Sequence, residues 1–192
     1  MELIAKNICK RYGDNVVLDG FSHEFGSGSF TAVMGASGCG KSTLLSVLMG
    51  TLAADSGEVI ISEGARLSAV FQEDRLCENL TVSANLRLVT GNRYSPDELE
   101  KELSAVGLSD AAKKPVRELS GGMKRRVAVL RALLHEYDVL FLDEPFKGLD
   151  EDTKQQVMEY CKRKTTGKTV VMVTHDREEA EYLAENIIEL KK

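Results

Sequence analysis

No apolar run in this 192-residue chain approaches the roughly 20 residues that a membrane-spanning helix needs. Its first ten residues, MELIAKNICK, contain no apolar core of the kind that a secretory signal peptide carries. We therefore expect a chain that has neither a membrane span nor a signal peptide.

The sequence also lacks a cysteine framework and a basic excess. Its four cysteines, Cys9, Cys39, Cys77 and Cys161, are widely scattered without C-x-x-C spacing, which predicts reduced cytosolic thiols. The formal net charge is −5, so no basic field attracts nucleic acid, and we expect no nucleic-acid partner. Internal repeats and low-complexity tracts are absent from the sequence.

A glycine-rich stretch does stand out. Residues 35–43 read GASGCGKST and fit the spacing G-x-x-x-x-G-K-[ST]. Phe30–Met34 before it predicts a short buried strand, and Leu44–Met49 after it predicts a helix. A glycine turn at a helix N-terminus directs backbone N–H groups at an anion. In such a turn Lys41 reaches the β- and γ-phosphates, and the Ser42 hydroxyl holds Mg²⁺.

The alternative, a turn that merely connects strand to helix, does not explain the full spacing and context. The sequence therefore predicts binding of a nucleoside triphosphate together with Mg²⁺. The residues predicted to surround the phosphates are Gly35, Ala36, Ser37, Gly38, Cys39, Gly40, Lys41, Ser42 and Thr43.

The first part of the chain has the periodicity of half-buried strands. Apolar and polar residues alternate over Leu3–Cys9 and Val16–Phe25, as in an antiparallel layer, and Glu58–Ile61 and Ser68–Phe71 predict two more short strands. Residues 80–119 are helical and charged instead, and Ser95-Pro96-Asp97-Glu98 predicts a capped helix start.

Later apolar runs predict a buried parallel sheet. Asp138–Leu142 and Thr169–Val173 are nearly continuous apolar strands, and helices alternate with them. Asp150 is predicted to cap one helix, and Asp176 with Glu179 to form the cap and N3 pair of the last.

We predict an α/β fold: a P-loop NTPase core with a mostly parallel sheet, an N-terminal antiparallel β layer and an inserted α-helical lobe. Residues 1–192 form a single domain in this prediction. Residues 1–72 and 136–192 supply the core, and the lobe takes in about residues 73–135.

Two carboxylates follow the strand Val139–Leu142. The carboxyl end of a strand in a parallel sheet is where ligands bind, so Asp143 is predicted to hold Mg²⁺ directly or through water. Glu144 is placed to orient and deprotonate the attacking water. The alternative, an acidic strand end that caps the next turn, is weaker beside a phosphate loop.

Leu119-Ser120-Gly121-Gly122-Met123 begins a second helix with an anion-binding end. Taken alone, the pattern is explained by an N-cap and a flexible turn. A single nucleotide site does not need two phosphate-binding helix ends from the same chain. The second helix end therefore favours an assembly of two chains with two nucleotide sites, in which each chain contributes one helix end to each site. The basic residues 124–126 that follow are interpreted as a solvated helix face.

Single polar residues end other strands. Gln72 and His175 are placed to point at a γ-phosphate or its water if their strands flank the central one, and Tyr12 to stack on a purine base. A structural role for each of the three is the alternative.

Together these motifs resemble the nucleotide-binding subunit of an ABC transporter, over almost the whole chain. In the family's order they are Tyr12, Walker A at 35–43, Gln72, the signature at 119–123, Walker B at 139–144, the turn through Asp150, and His175. The signature discriminates this family from other P-loop families.

The resemblance implies two such domains that face head to tail, with ATP between Walker A of one chain and the signature of the other. Ser120, Gly121 and Gly122 then act across the interface. The catalytic set implied is Glu144 as base, His175 as γ-phosphate switch, Lys41, and Gln72, which links the Mg²⁺ site to the lobe that contacts the membrane subunit. Nucleotide contacts extend to Tyr12 and Asp150, and the metal ligands are Ser42, Gln72 and Asp143.

The implied partners are a second copy or a homologous ATPase chain, an integral membrane permease and a substrate-binding protein. The implied location is the cytoplasmic face of the cell membrane. Met123 stands where the family usually has glutamine. With Asp143-Glu144-Pro145-Phe146, it resembles importers of nitrate, sulfonate and taurine-like anions, and a separate ATPase chain favours import in this family.

Two other functions stay open at this stage. One is a soluble ABC ATPase that acts on a macromolecular partner such as nucleic acid or the ribosome; the length and acidic balance disfavour it. The other is an ATP-binding regulatory module without turnover, which the presence of Asp143, Glu144 and His175 disfavours.

Overall fold

The computed structural model of the chain describes residues 2–190. In chain order the described residues form β1 (Leu3–Tyr12), β2 (Asn15–Phe25), β3 (Phe30–Met34), α1 (Lys41–Leu48), β4 (Ser56–Ile61), β5 (Leu67–Val70), α2 (Val82–Thr90), α3 (Pro96–Ala105), a 3₁₀ turn (Val116–Glu118), α4 (Gly121–Leu134), β6 (Val139–Asp143), α5 (Glu151–Thr165), β7 (Thr169–Val173), α6 (Arg177–Leu183) and β8 (Asn186–Glu189).

The chain divides into two compact units. The first takes in the described residues of Met1–Leu67, Tyr137–Glu144 and Thr166–Lys192, and the second Ser68–Glu136 and Pro145–Thr165.

An antiparallel sheet forms one layer of the first unit, in the strand order β2-β1-β4. Leu3 lies opposite Phe25 of β2 on one side and Ile61 of β4 on the other. The alternating pattern of the sequence therefore predicted this layer correctly.

A second sheet in the first unit has the strand order β6-β7-β3-β8. β6, β7, β3 and β8 are parallel, with Val139 beside Thr169 and Phe30 beside Val170. Every residue of β6 and β7 is buried, as their unbroken apolar runs predict. The α/β fold predicted from the sequence is confirmed.

This strand order determines where the functional residues lie. β3, β7 and β6 are adjacent and parallel, so their carboxyl ends meet at one edge. Residues 35–43, 143–144 and 174–175 lie at the carboxyl ends of those three strands. The sheet therefore gathers the phosphate loop, the paired carboxylates and the histidine at one place.

The second unit is built on helices. α3 begins with a complete capping box, in which Glu98 N donates to Ser95 Oγ at 3.3 Å and Ser95 N donates to Glu98 Oε2 at 2.7 Å. Satisfying two otherwise unpaired N–H groups at the helix end stabilises the helix start. The helix start predicted from this four-residue pattern is confirmed.

All four cysteines are free in the structure, and Cys39 and Cys161 are buried. Burial raises the pKa of the Cys161 thiol to about 12, so this thiol stays protonated and unreactive at neutral pH. Among residues 2–190, no helix is both long enough and apolar enough to cross a membrane.

Candidate nucleotide-binding site

The phosphate loop depends on close backbone approach at Gly40. This residue is the N-cap of α1 and has a φ of +103°, in the region that favours glycine. A Cβ here would lie 2.6 Å from Val17 Cγ1 and 2.9 Å from Val17 O. Within the described part of the chain, no side chain caps the first turn of α1, and that turn holds no acidic residue. An anion is the partner that suits such a helix end.

Lys41 carries the positive charge of this loop. Its side chain turns back so that Nζ donates to Gly35 O at 2.8 Å and to Ala36 O at 3.0 Å. The residue is only 7% exposed, and a largely buried ammonium group needs partners of this kind. The loop therefore surrounds a cation placed to bind phosphate oxygens.

Ser42 and Asp143 meet at the carboxyl end of β6. Ser42 Oγ donates to Asp143 Oδ1 at 3.1 Å, and Asp143 is buried. Mg²⁺ takes oxygen ligands and is commonly held by one or two carboxylates together with phosphate oxygens and water. A hydroxyl and a carboxylate beside the phosphate loop fit that requirement. Among residues 2–190 there is no cluster of three or more His, Cys, Asp or Glu side chains for another kind of metal centre.

Glu144 and His175 form a pair at the same edge of the sheet. His175 Nδ1 lies 2.7 Å from Glu144 Oε2 and 2.9 Å from Oε1. The Glu144 side chain is 16% exposed and the His175 side chain 68%, so the pair sits at the surface end of the sheet. An imidazole donor at this distance orients the carboxylate.

The backbone of Glu144 is unusual as well. Its φ is +49°, in the left-handed region that few non-glycine residues adopt, while its N–H donates to Val173 O at 2.9 Å. Such conformations cost free energy and persist where the surroundings impose them, often at functional sites. Two contacts with β7 and the residues after it hold Glu144 in this conformation. Its N–H donates to Val173 O, and its carboxylate contacts His175.

Hydrogen bonds from α6 hold the segment that carries His175. Asp176 caps the helix, as predicted, by accepting from Glu178 N at 2.9 Å and Glu179 N at 3.3 Å. Glu179 stands at N3, as predicted, and its Oε2 accepts from Thr174 Oγ1 at 2.6 Å, while Asp176 N donates to Thr174 Oγ1 at 3.1 Å. The buried Glu179 carboxylate thus fixes the residue just before His175.

The remaining predicted residues lie elsewhere. In the first unit, Tyr12 ends β1 and is 53% exposed, so its ring is open to stacking. In the second unit, Ser120 Oγ caps α4 by accepting from Met123 N at 3.3 Å, and Gly121 and Gly122 form the first turn. Asp150 Oδ1 accepts from Thr153 N at 3.0 Å at the start of α5.

Gln72 also lies in the second unit, and its side chain is exposed. The structure therefore brings together the phosphate loop, Asp143, Glu144 and His175 within one unit, whereas Gln72, Ser120 and Asp150 belong to the other.

One interpretation of the sequence was wrong. Arg125 belongs to the basic residues expected on a solvated face, yet it is buried, with 4% exposure. Its inward orientation depends on how α4 packs, which the charge pattern does not reveal. Three residues that support the site were also not identified as such from the sequence. Val17 packs against Gly40, and Thr174 donates to Glu179 next to His175. These contacts depend on the tertiary structure, so no sequence motif marks them.

The parallel sheet and the residues at its edge define a P-loop nucleoside triphosphatase. The glycine loop surrounds the Lys41 ammonium group, the Ser42 hydroxyl contacts the Asp143 carboxylate, and the Glu144 carboxylate contacts His175. A protein-family model described as ABC transporter matches residues 18–147. The chain belongs to the ABC transporter family. It is the subunit of an ABC transporter that binds and hydrolyses ATP. This excludes both alternatives left open by the sequence: a soluble ABC ATPase that acts on a macromolecular partner, and a regulatory module that binds ATP without turnover.

Two curated relatives span most of the chain. The aliphatic sulfonates import ATP-binding protein SsuB of a Bacillus cereus strain is 38% identical over 199 residues, covering 96% of this chain and 78% of that protein. The taurine import ATP-binding protein TauB of Roseobacter denitrificans is 38% identical over 206 residues, covering 97% and 76%.

A similar fold occurs in a solved structure, the dimeric structure of MJ0796, a bacterial ABC transporter cassette. It superposes with a TM-score of 0.85 at 31% identity, covering 98% of this chain and 94% of that one. A second structure of the same cassette, a post-hydrolysis state bound to ADP and Pi, has a TM-score of 0.84 at 30% identity.

Proposed function

We propose that this chain energises uptake of an organosulfonate-like anion by hydrolysing ATP at a site shared between two chains. The observation that carries the proposal is the convergence of the Lys41 loop, the Ser42–Asp143 contact and the Glu144–His175 pair at one sheet edge. The names of the two curated relatives support import and point to sulfonates and taurine.

Each residue of the sheet edge has a role in this proposal. Backbone N–H groups of residues 35–43 and Lys41 bind the β- and γ-phosphates. Ser42 and Asp143, with Gln72, hold Mg²⁺, which when bound neutralises charge on the phosphates. Glu144 accepts the proton of the attacking water, and His175 holds that carboxylate in place and senses the γ-phosphate.

A second chain completes the site. The helix α4 begins with Ser120 as its N-cap and with Gly121 and Gly122 in its first turn. Such a helix end suits an anion, but the phosphates of the nucleotide on the same chain are already bound by residues 35–43. We infer that this turn binds the γ-phosphate held by the partner chain, with Asp150 near the interface and Tyr12 stacked on the adenine. The dimeric structure of the related cassette supports this arrangement.

The other partners follow from the transport role. A separate permease carries the solute across the membrane and holds this chain at the cytoplasmic face, and a substrate-binding protein delivers the solute. We propose that residues 1–192 act as one ABC ATPase domain whose helical lobe, about residues 73–135, contacts the permease.

Uptake measurements test the transport role. In the native host, replacing the chromosomal gene by a Lys41→Ala version is expected to reduce uptake of labelled taurine and alkanesulfonates to background. Uptake of an amino acid by an unrelated carrier serves as the control and is expected to persist. Loss of nitrate or sulfate uptake alone would overturn the sulfonate assignment, and unchanged uptake of all these anions would overturn the import role.

A further inference from the structure

Arg125 is a buried cation on the helix that begins at Ser120. It lies in the second turn of α4 and is 4% exposed. Removing a guanidinium group from water is unfavourable unless hydrogen bonds and an opposite charge compensate. The hydrogen bonds and the ion pair of Arg125 therefore identify the groups that stabilise its buried charge.

Those contacts reach two segments of the second unit, residues 71–74 and Pro145, which include or adjoin proposed site residues in the sequence. Arg125 Nη1 donates to Phe71 O at 2.6 Å, to Gln72 O at 3.5 Å and to Asp74 Oδ1 at 3.1 Å. Arg125 Nε donates to Pro145 O at 3.0 Å. Pro145 directly follows Glu144 in the sequence, so one side chain contacts the segment of Gln72 and the residue after the proposed base.

A second arginine of α4 holds the same segment. Arg131 donates from Nη1 to Arg75 O at 3.0 Å and from Nη2 to Asp74 O at 3.2 Å. Arg75 has a φ of +47°, and its guanidinium lies 3.8 Å from the centroid of the Phe71 ring. A non-glycine residue in the left-handed region needs surroundings that impose that conformation, and these contacts provide them.

We propose that Arg125 is a positioning residue for ATP hydrolysis, which fixes residues 71–74 and the Pro145 carbonyl to the helix that begins at Ser120. Arg125 and Arg131 together form what we call the arginine brace. The inference deepens the proposed function and rests on the roles proposed there for Gln72 and Ser120.

Arg125→Gln in the purified full-length chain is the direct test. Amide exchange of residues 71–75 is expected to speed up by about tenfold, because charge-assisted hydrogen bonds to this segment are lost. The kcat of ATP hydrolysis is expected to fall about tenfold, since small misplacements of catalytic groups are costly. The Kd of a fluorescent ATP analogue is expected to change less than about twofold, because the Lys41 loop lies in the other unit.

Arg93→Gln is the matched control. Arg93 is also an arginine of the second unit that donates to backbone carbonyls, including Leu134 O at the far end of α4 at 3.1 Å. It is expected to leave exchange of residues 71–75 and kcat as in the unmodified chain. Arg125→Lys, which keeps the charge, is expected to recover part of kcat.

Asp74→Asn covers the case in which Arg125→Gln does not fold. It removes one charge from the contact at a partly exposed position and is expected to change exchange and kcat in the same direction, by less. Gln72→Ala separates the two proposals. Faster exchange and slower hydrolysis in Arg125→Gln with normal hydrolysis in Gln72→Ala would support the brace and remove the role of Gln72. Unchanged exchange of residues 71–75 in both Arg125→Gln and Asp74→Asn would overturn the brace.

Discussion

Replacing Glu144 by glutamine is expected to slow ATP hydrolysis by about two to four powers of ten, the usual contribution of a general base. Glutamine has nearly the same shape and still accepts a hydrogen bond from His175, but it takes no proton from water. ATP binding is expected to persist, because Lys41 and the phosphate loop are unchanged. The variant is then expected to accumulate as an ATP-bound dimer.

Single-turnover phosphate release, with ATP affinity measured in parallel, checks this prediction. Glu181→Gln is a suitable control, since Glu181 is an exposed carboxylate of the same unit that pairs with Arg177 at 2.7 Å. Its hydrolysis rate is expected to match that of the unmodified chain. Phosphate release by the Glu144→Gln chain at the unmodified rate would exclude Glu144 as the base.

Lys41→Ala is expected to weaken ATP binding by about two to three powers of ten, the effect of removing one partner from a buried, hydrogen-bonded charge pair. The ammonium group already lies inside the loop, bonded to Gly35 O and Ala36 O, so the loop loses both its charge and an internal contact. Hydrolysis at cellular ATP concentrations is expected to fall to background.

Lys168→Ala is the matched control for this change. Lys168 is another lysine of the first unit whose Nζ donates to a backbone carbonyl, Tyr137 O at 3.2 Å. Equilibrium binding of a fluorescent ATP analogue and the thermal midpoint are measured for both variants. ATP affinity and turnover at the unmodified level in a folded Lys41→Ala chain would refute the phosphate-loop assignment.

Local signals in the sequence predicted much of the fold. β3 and β7 have the predicted bounds because each is an apolar run that is buried in the sheet and flanked in the sequence by polar residues or glycine. The helix start at Ser95 was predictable because a capping box involves only four consecutive residues.

Elements set by tertiary contacts were less predictable. The apolar pattern of α1 is visible from Leu44, but the helix begins at Lys41, since the left-handed conformation of Gly40 against Val17 determines the first turn. The inward orientation of Arg125 depends on packing of α4, and nothing in the residues 124–126 distinguishes that arginine from its neighbours. Motif spacing therefore singles out residues 35–43 in the sequence, whereas the contacts that hold this loop, such as Gly40 against Val17, are visible only in the structure.

The central claim is that each ATP site is built from two chains, and a mixing experiment tests it most directly. Lys41→Ala chains and Ser120→Arg chains are assayed for ATP hydrolysis separately and after mixing. Each alone is expected to be inactive, since every site in either homodimer lacks Lys41 or the signature serine. In a mixed dimer one site combines an intact phosphate loop with an intact signature, so activity is expected to reappear on mixing. No activity in the mixture, with both chains folded and dimerising, would contradict the shared site.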